Sequence, residues 1–276
     1  MGLKAKRRST NIVSNIFVWI CAFICFFPIL WMITTAFKDR VDAFAVPPTW
    51  IFVPKLDNFK AVLSSGNFMK AYKNSLIISV STCVLALLLG TPMAYALARF
   101  KVPNKKKIMM DLLSTKMAPA ILIAVPYYII YQKLGLTGTY VGMVIVYLIF
   151  NLAFTVWMLK GFIEGVPAEL NEAARVDGAS RLRAFFKVEI PLMKGGIAAT
   201  VILCFITVWN EFLLSLVLTS SKTQTTPVAI QNFISFEGIR WGEITAAGVL
   251  VAAPAVLLGV AVRKYLITGL TMGAVK

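Results

Sequence analysis

The sequence predicts an all-α, polytopic membrane protein with six transmembrane helices, read as a single transmembrane domain over 1–276. Three observations predict it. Of the 276 residues 59% are hydrophobic and only 14% charged, where soluble domains carry about 25% charged residues. The apolar residues fall in six runs long enough to cross a hydrocarbon core about 30 Å thick, which takes roughly 20 helical residues. The 28 Lys and Arg, set against 12 Asp and Glu, crowd into alternate connections between those runs. The +16 charge therefore reads as topology and attraction to anionic head groups, not as a nucleic-acid-binding face.

Backbone groups in lipid must be satisfied internally, so each run is predicted as a helix. The first span, 16–36, follows a basic start at Lys4, Lys6, Arg7 and Arg8. Its length and the lack of a small-residue cleavage site make it an uncleaved span and not a signal peptide. The others are 75–98, 108–131, 140–159, 197–219 and 245–262. Pro119 and Pro126 are expected to kink the third. The chain has no His, which removes Ser/His, Cys/His and His-metal mechanisms. Cys21, Cys25, Cys83 and Cys204 lie inside apolar runs as small hydrophobes, without disulfide or zinc spacing.

Orientation follows from the Lys and Arg. The amino terminus has four, the 99–107 loop five, the 160–196 loop six and the carboxyl end three, while 37–74 spreads six over a longer stretch and the remaining loops hold Lys133, Lys222 and Arg240. Both termini are expected in the cytoplasm.

The inward loop 160–196 is rich in helix punctuation. Pro167 suits a first helical turn, Glu169 and Glu172 favour the amino end, and Arg175 the carboxyl end. Gly178 fits a left-handed residue just past that helix. Leu170, Ala173 and Ala174 share one side, and small residues there let another surface come close. Ser180 can cap a second helix carrying Leu182, Phe185 and Phe186, which Pro191 ends or bends. By itself this pattern also describes an amphipathic helix lying on lipid.

Glu172-Ala173-Ala174, then Gly178, then Val188-Glu189-Ile190-Pro191 resembles the EAA loop of ABC importer permeases. Ile190 stands where the family's pattern has Leu. The stretches Ala94 to Phe100, Leu134 to Tyr140 and Trp209 to Leu213 are similar to those of carbohydrate-importing permeases. The ending Gly269 to Lys276 looks like that of the shorter membrane subunit of the maltose-type importer. The resemblance implies a type I ABC importer permease architecture, in which 160–196 is the cytoplasmic coupling loop of a bacterial inner-membrane protein. It implies a second homologous permease, two ATPase subunits, and an external solute-binding protein that delivers a sugar or sugar derivative. The coupling residues would be Glu172, Ala173, Ala174, Arg175, Asp177 and Gly178. No G-x-x-x-x-G-K-[S/T] loop is present, so ATP and Mg belong to the partners and the chain is expected to be a conduit without bound cofactor, not an enzyme.

Polar residues inside spans are candidates for the translocation path, because lipid contact is costly for them. Lys116 lies roughly 13 Å beyond Lys107 at about 1.5 Å per residue, placed either to contact substrate or to pair at a subunit interface. Asn151 and Thr155 share a face at i, i+4, and Asn210 with Glu211 interrupt the fifth span; helix-to-helix hydrogen bonding is the plainer role for all four. The aromatics read mainly as belt and packing residues. In the outward loop 220–242, Thr223, Gln224, Thr225 and Thr226 read as a solvated connector or, by the family resemblance, as a contact to the binding protein. An ion-coupled secondary transporter using Lys116 and Glu211 is the alternative function; it gives no reason for the inner loop. An intramembrane protease is disfavoured by the missing His and paired Asp.

Overall fold

The computed structural model describes residues 2–235 and 238–272, with side chains from 14 to 234 and 238 to 263. The carboxyl-terminal stretch 269–276 and the amino-terminal basic residues lie outside the described side chains. Helices account for 79% of the chain. In order they are α1 (Gly2–Ala36), α2 (Arg40–Phe44), α3 (Asp57–Ser64), α4 (Gly66–Arg99), α5 (Lys105–Met117), α6 (Ala120–Lys133), α7 (Tyr140–Glu164), α8 (Ala168–Val176), α9 (Arg181–Ala184), a π-helical turn (Phe185–Glu189), α10 (Ile190–Leu192), α11 (Lys194–Trp209), α12 (Leu213–Leu218), α13 (Thr226–Ala229) and α14 (Trp241–Met272). A short antiparallel pair, β1 (Ile234–Ser235) with β2 (Gly238–Ile239), precedes α14.

Four helices are long and apolar enough to cross a membrane: Ser14–Ala36, Gly66–Arg99, Tyr140–Glu164 and Trp241–Arg263. Two bent pairs bring the number to six if each is one span, with bends of 91° between α5 and α6 and 75° between Arg181–Leu192 and α11. The structure thus differs from the third and fifth predicted spans. The 108–131 run is two helices broken at Ala118 and Pro119, because Pro119 lacks an N–H and holds an extended ψ of 128°. Pro126, which sequence also marks as a kink, lies inside α6. The 197–219 run stops at Trp209 and restarts at Leu213.

By packing, the chain falls into two compact units. The first holds residues up to 66 with 232–252. Its 37–65 segment is ordered by local contacts: Asn58 Nδ2 donates to the carbonyls of Ala36 (3.0 Å) and Lys38 (2.7 Å), and Lys38 lies over the Trp31 ring. Asp39 caps α2 through the Asp42 N–H and pairs with Lys55 at 3.0 Å. Those two contacts, the backbone bond first, hold its carboxyl below the usual carboxylate range.

The second unit comprises 67–231 and the chain from 253 onward. On α4 the buried face is mostly small or polar, with Ala71, Asn74, Ser75, Ser79, Thr82, Cys83, Ala86, Gly90 and Ala94 alongside the larger Phe68, Ile78 and Leu97, while Ile77, Val80, Val84 and Leu88 point outward. That distribution is the membrane arrangement: small residues let helices approach, and large apolar ones face lipid. Gly90 shows the need, since a Cβ there would lie 2.8 Å from Thr155 Cγ2. Two core clusters form, one around Ile78, Met143, Tyr147 and Leu218, the other around Ala94, Leu97, Val156, Leu159 and Met193.

Candidate functional site

The loop after α7 builds a projecting knob. Pro167, with φ −54° and ψ 128°, starts α8; Glu169 in its first turn and Arg175 in its last complement the helix dipole. At the end Ala179 N–H donates to the Ala174 carbonyl and Gly178 N–H to Arg175, with Gly178 left-handed at φ +87°. This double bond pattern closes the carbonyls of the last turn, and a side chain at Gly178 would be strained by conformation, not by crowding. Ser180 then caps α9 through the Arg183 N–H.

One side of this knob is bare. Glu172, Ala173, Arg175, Asp177 and Gly178 are exposed and Ala174 half-buried, and beside them stand the exposed apolar side chains Leu170, Val176, Leu182 and Phe186. The other side is fastened by a buried cluster that sequence reasoning missed. Arg99, the last residue of α4, pairs through Nε with Glu189 Oε1 at 2.9 Å. Its Nη2 donates to the carbonyls of Ile163 (2.9 Å) and Val166 (2.8 Å), capping the carboxyl end of α7. Asn171, the buried residue of α8, donates to the same Glu189 oxygen at 2.6 Å. Glu189 is fully buried. The ends of α4 and α7, the knob and the π-helical turn therefore meet at one guanidinium–carboxylate pair. In the sequence Arg99 counts toward topology and as part of the Ala94 to Phe100 stretch, with no partner indicated, and Glu189 fills the unspecified place before Ile190. The available signal was a lone acid in the largely apolar run 185–192, which also holds Lys187.

A second feature lies at the two helix breaks. Lys116 stands exposed in the last turn of α5, with Nζ 5.2 Å from the Phe154 ring centre, a position where the carboxyl end of a helix favours a cation. Glu211 sits in the gap after α11, accepting the N–H of Leu214 (2.8 Å) on Oε1 and, on Oε2, the N–H of Ser215 (3.1 Å) and the Tyr147 hydroxyl (2.7 Å). It thereby caps α12, which explains why the apolar run breaks there. A cavity of about 180 Å³ brings Lys116, Asn151 and Glu211 together, with Thr115, Tyr147, Phe150 and Thr207 on its wall. Two other sequence candidates fall elsewhere. Thr155 is buried against Gly90, and Asn210 is an exposed C-cap of α11.

The segment after α12 departs from the expected solvated loop. Thr223, Thr225 and Thr226 are buried, only Gln224 being half-exposed. Asn74 of α4 donates to the Lys222 (3.0 Å) and Gln224 (2.9 Å) carbonyls and accepts the Tyr140 hydroxyl. Ser75 Oγ accepts the Thr226 N–H at 2.8 Å, and Ser215 and Thr225 share a hydroxyl bond. The threonines fasten the segment inward because its non-helical backbone needs partners there. Ser220, Ser221 and Lys222 form the exposed part.

Apolar helices long enough to cross a membrane, two breaks that share one polar cavity, and an anchored knob fit a membrane-transport subunit. The chain belongs to the family of binding-protein-dependent transport system inner membrane components, which it matches over residues 1–271. It is 35% identical over 271 residues to the probable ABC transporter permease protein y4oR of Sinorhizobium fredii, covering 98% of each chain. With the diacetylchitobiose uptake system permease protein DasC of Streptomyces coelicolor it shares 34% identity over 252 residues, 91% of each. A chain in the crystal structure of a bacterial ABC transporter involved in the import of the acidic polysaccharide alginate has the same fold, with a TM-score of 0.76 at 23% identity over 94% of this chain and 97% of that one. The protein is thus a multi-pass inner-membrane permease of an ABC importer, which works with a binding protein and with ATPase subunits that hydrolyse ATP. This assignment leaves no place for the ion-coupled alternative.

Proposed function

We propose that this chain and a second, homologous permease together enclose the path of a sugar or sugar derivative delivered by an external binding protein, and that two ATPase subunits drive it through the α8 knob. The carrying observation is the knob itself: a bare charged and apolar surface held by buried Glu189 and Asn171 and by half-buried Arg99. A helix resting on lipid needs no such anchor. On this reading both termini and the knob face the cytoplasm, in line with the density of Lys and Arg at 99–107 and 160–196.

The roles divide by position. Glu172 and Arg175 offer charged contacts to an ATPase cleft, Ala173 and Ala174 permit close approach, and Asp177 with Gly178 sets the exit of the chain. Relatives such as the diacetylchitobiose permease support a sugar cargo. On the outer side the contact to the binding protein falls to Ser220, Ser221 and Lys222, which 223–226 hold in place.

Reconstitution tests the reading. The complex recovered with the tagged chain, supplied with its binding protein and a mixture of labelled mono- and disaccharides, is expected to take up label only with ATP. The isolated chain should do neither ATP hydrolysis nor uptake. Accumulation by that isolated chain under a proton or sodium gradient would overturn the reading.

A further inference from the structure

We propose that the cavity at the two helix breaks is a sugar-ring site of this chain, reading a ligand hydroxyl through Asn151 and an anionic substituent through Lys116. The inference rests on the importer reading and names a substrate class for it. At about 180 Å³ the cavity is smaller than the roughly 300–1,000 Å³ that encloses a whole small ligand, so it takes one ring of a passing sugar.

Asn151 supplies the first argument. It is only 2% exposed, its Nδ2 is spent on the Tyr147 carbonyl one turn back, and its Oδ1 has no donor. A buried acceptor left unmatched is costly, and a ligand hydroxyl entering the cavity removes that cost.

Lys116 supplies the second. Among the described residues no carboxylate is within ion-pair distance of it; its Nζ lies 5.2 Å from the Phe154 ring centre, and the side chain is exposed toward the cavity. Glu211 lines the same space, yet both its oxygens are occupied by Leu214, Ser215 and Tyr147. The carboxylate is thereby matched by protein donors while the ammonium is not. An anionic group is attracted to the Lys116 end and repelled from the Glu211 end, which fixes the ring's direction, with Tyr147 and Phe150 beside it.

The test needs no knowledge of the natural cargo. In the complete complex in nanodiscs, with Cys21, Cys25, Cys83 and Cys204 replaced by Ala, Thr207→Cys places a thiol on the cavity wall. Its modification by a methanethiosulfonate is timed in the presence of glucose or glucuronate. Glucuronate is expected to protect at a concentration lower by on the order of tenfold, the scale of one charge-assisted hydrogen bond. Lys116→Gln should abolish that difference, Lys116→Arg should keep it, and Asn151→Leu should weaken protection by both sugars. Equal protection by the two sugars, no protection, or a difference that survives Lys116→Gln would overturn the proposal. ATP-dependent uptake by the unsubstituted complex is measured alongside. Uptake without protection rejects the ring site alone, whereas failure of all ATP-coupled uptake rejects the importer reading beneath it.

Discussion

The α8 knob and the 220–226 segment are both polar interruptions between long apolar runs, yet one projects and the other is folded inward. The difference lies in how each satisfies its own backbone. In α8 the helix pairs most of its peptide groups, and Gly178 with Ala179 closes the last turn, so the segment needs a single buried attachment through Asn171. The 220–225 stretch has only a turn closed on the Ser220 carbonyl before α13 begins, and an unpaired peptide group in an apolar setting is costly. It borrows Asn74 and Ser75 from α4. Polarity in the sequence therefore does not predict exposure; self-sufficiency of the backbone does.

The comparison breaks most visibly at Arg99. Arg99→Met leaves Glu189 charged and fully buried without its cation, and breaking a buried pair costs about 3–5 kcal/mol. We expect a large drop in the thermal unfolding midpoint of the detergent-solubilised complex and protease nicking in 165–180. The paired change of Arg99→Met with Glu189→Met should recover much of that loss, since two apolar residues replace a buried pair at little cost. A double variant as unstable as the single one would mean that the carbonyl contacts to Ile163 and Val166 dominate.

On the inward segment the matching change is Asn74→Ala, which removes two donors to the loop and the acceptor of the Tyr140 hydroxyl. About 1–3 kcal/mol is expected. Hydrogen exchange should quicken at 220–226 and stay unchanged in α8. Equal quickening in both regions would show that the two are not independent attachments.

These two anchors also mark what was legible in the sequence. The spans predicted from residues 16 and 140 needed only length and apolarity to be seen, and Gly178 was readable because one residue type serves a left-handed helix end. Hydropathy could not show that Glu211 captures the N–H groups of Leu214 and Ser215 and so splits the fifth run, nor that Pro119 breaks the third outright while Pro126 rides inside α6. The partners of Thr226 and of the 222–224 carbonyls lie about 150 residues earlier, and Arg99 is 90 residues from Glu189. Periodicity and local punctuation carry no information at that separation. Lys116 and Asn151 were singled out as polar residues in spans, but their shared cavity with Glu211 depends on both breaks.

Gly178→Val sharpens the comparison from the knob's side. A β-branched residue at φ +87° costs on the order of 1–3 kcal/mol, with open space around the new side chain. The penalty is thus one of backbone direction. ATPase stimulation by the binding protein should fall sharply, with the bundle's unfolding midpoint moving less than in Arg99→Met. Gly178→Asn, which tolerates the left-handed region better, should recover part of the stimulation.

Glu172→Ala should have the smallest effect on the fold. The side chain is exposed and no intramolecular bond of it is seen among the described residues, so stability should stay within about 0.5 kcal/mol of the parent, as for surface substitutions generally. Its consequence belongs to the interface: if the bare face of α8 seats in an ATPase cleft, loss of this carboxylate should reduce coupled uptake and ATPase retention while leaving the isolated permease pair intact. Glu172→Asp, which keeps the charge on a shorter stem, should fall between the two. Cysteine crosslinking from position 173 to the ATPase locates the contact independently. Normal coupled transport in Glu172→Ala together with no crosslink from 173 would place the knob on lipid, and the difference between the two polar interruptions would then be one of packing without a role in coupling.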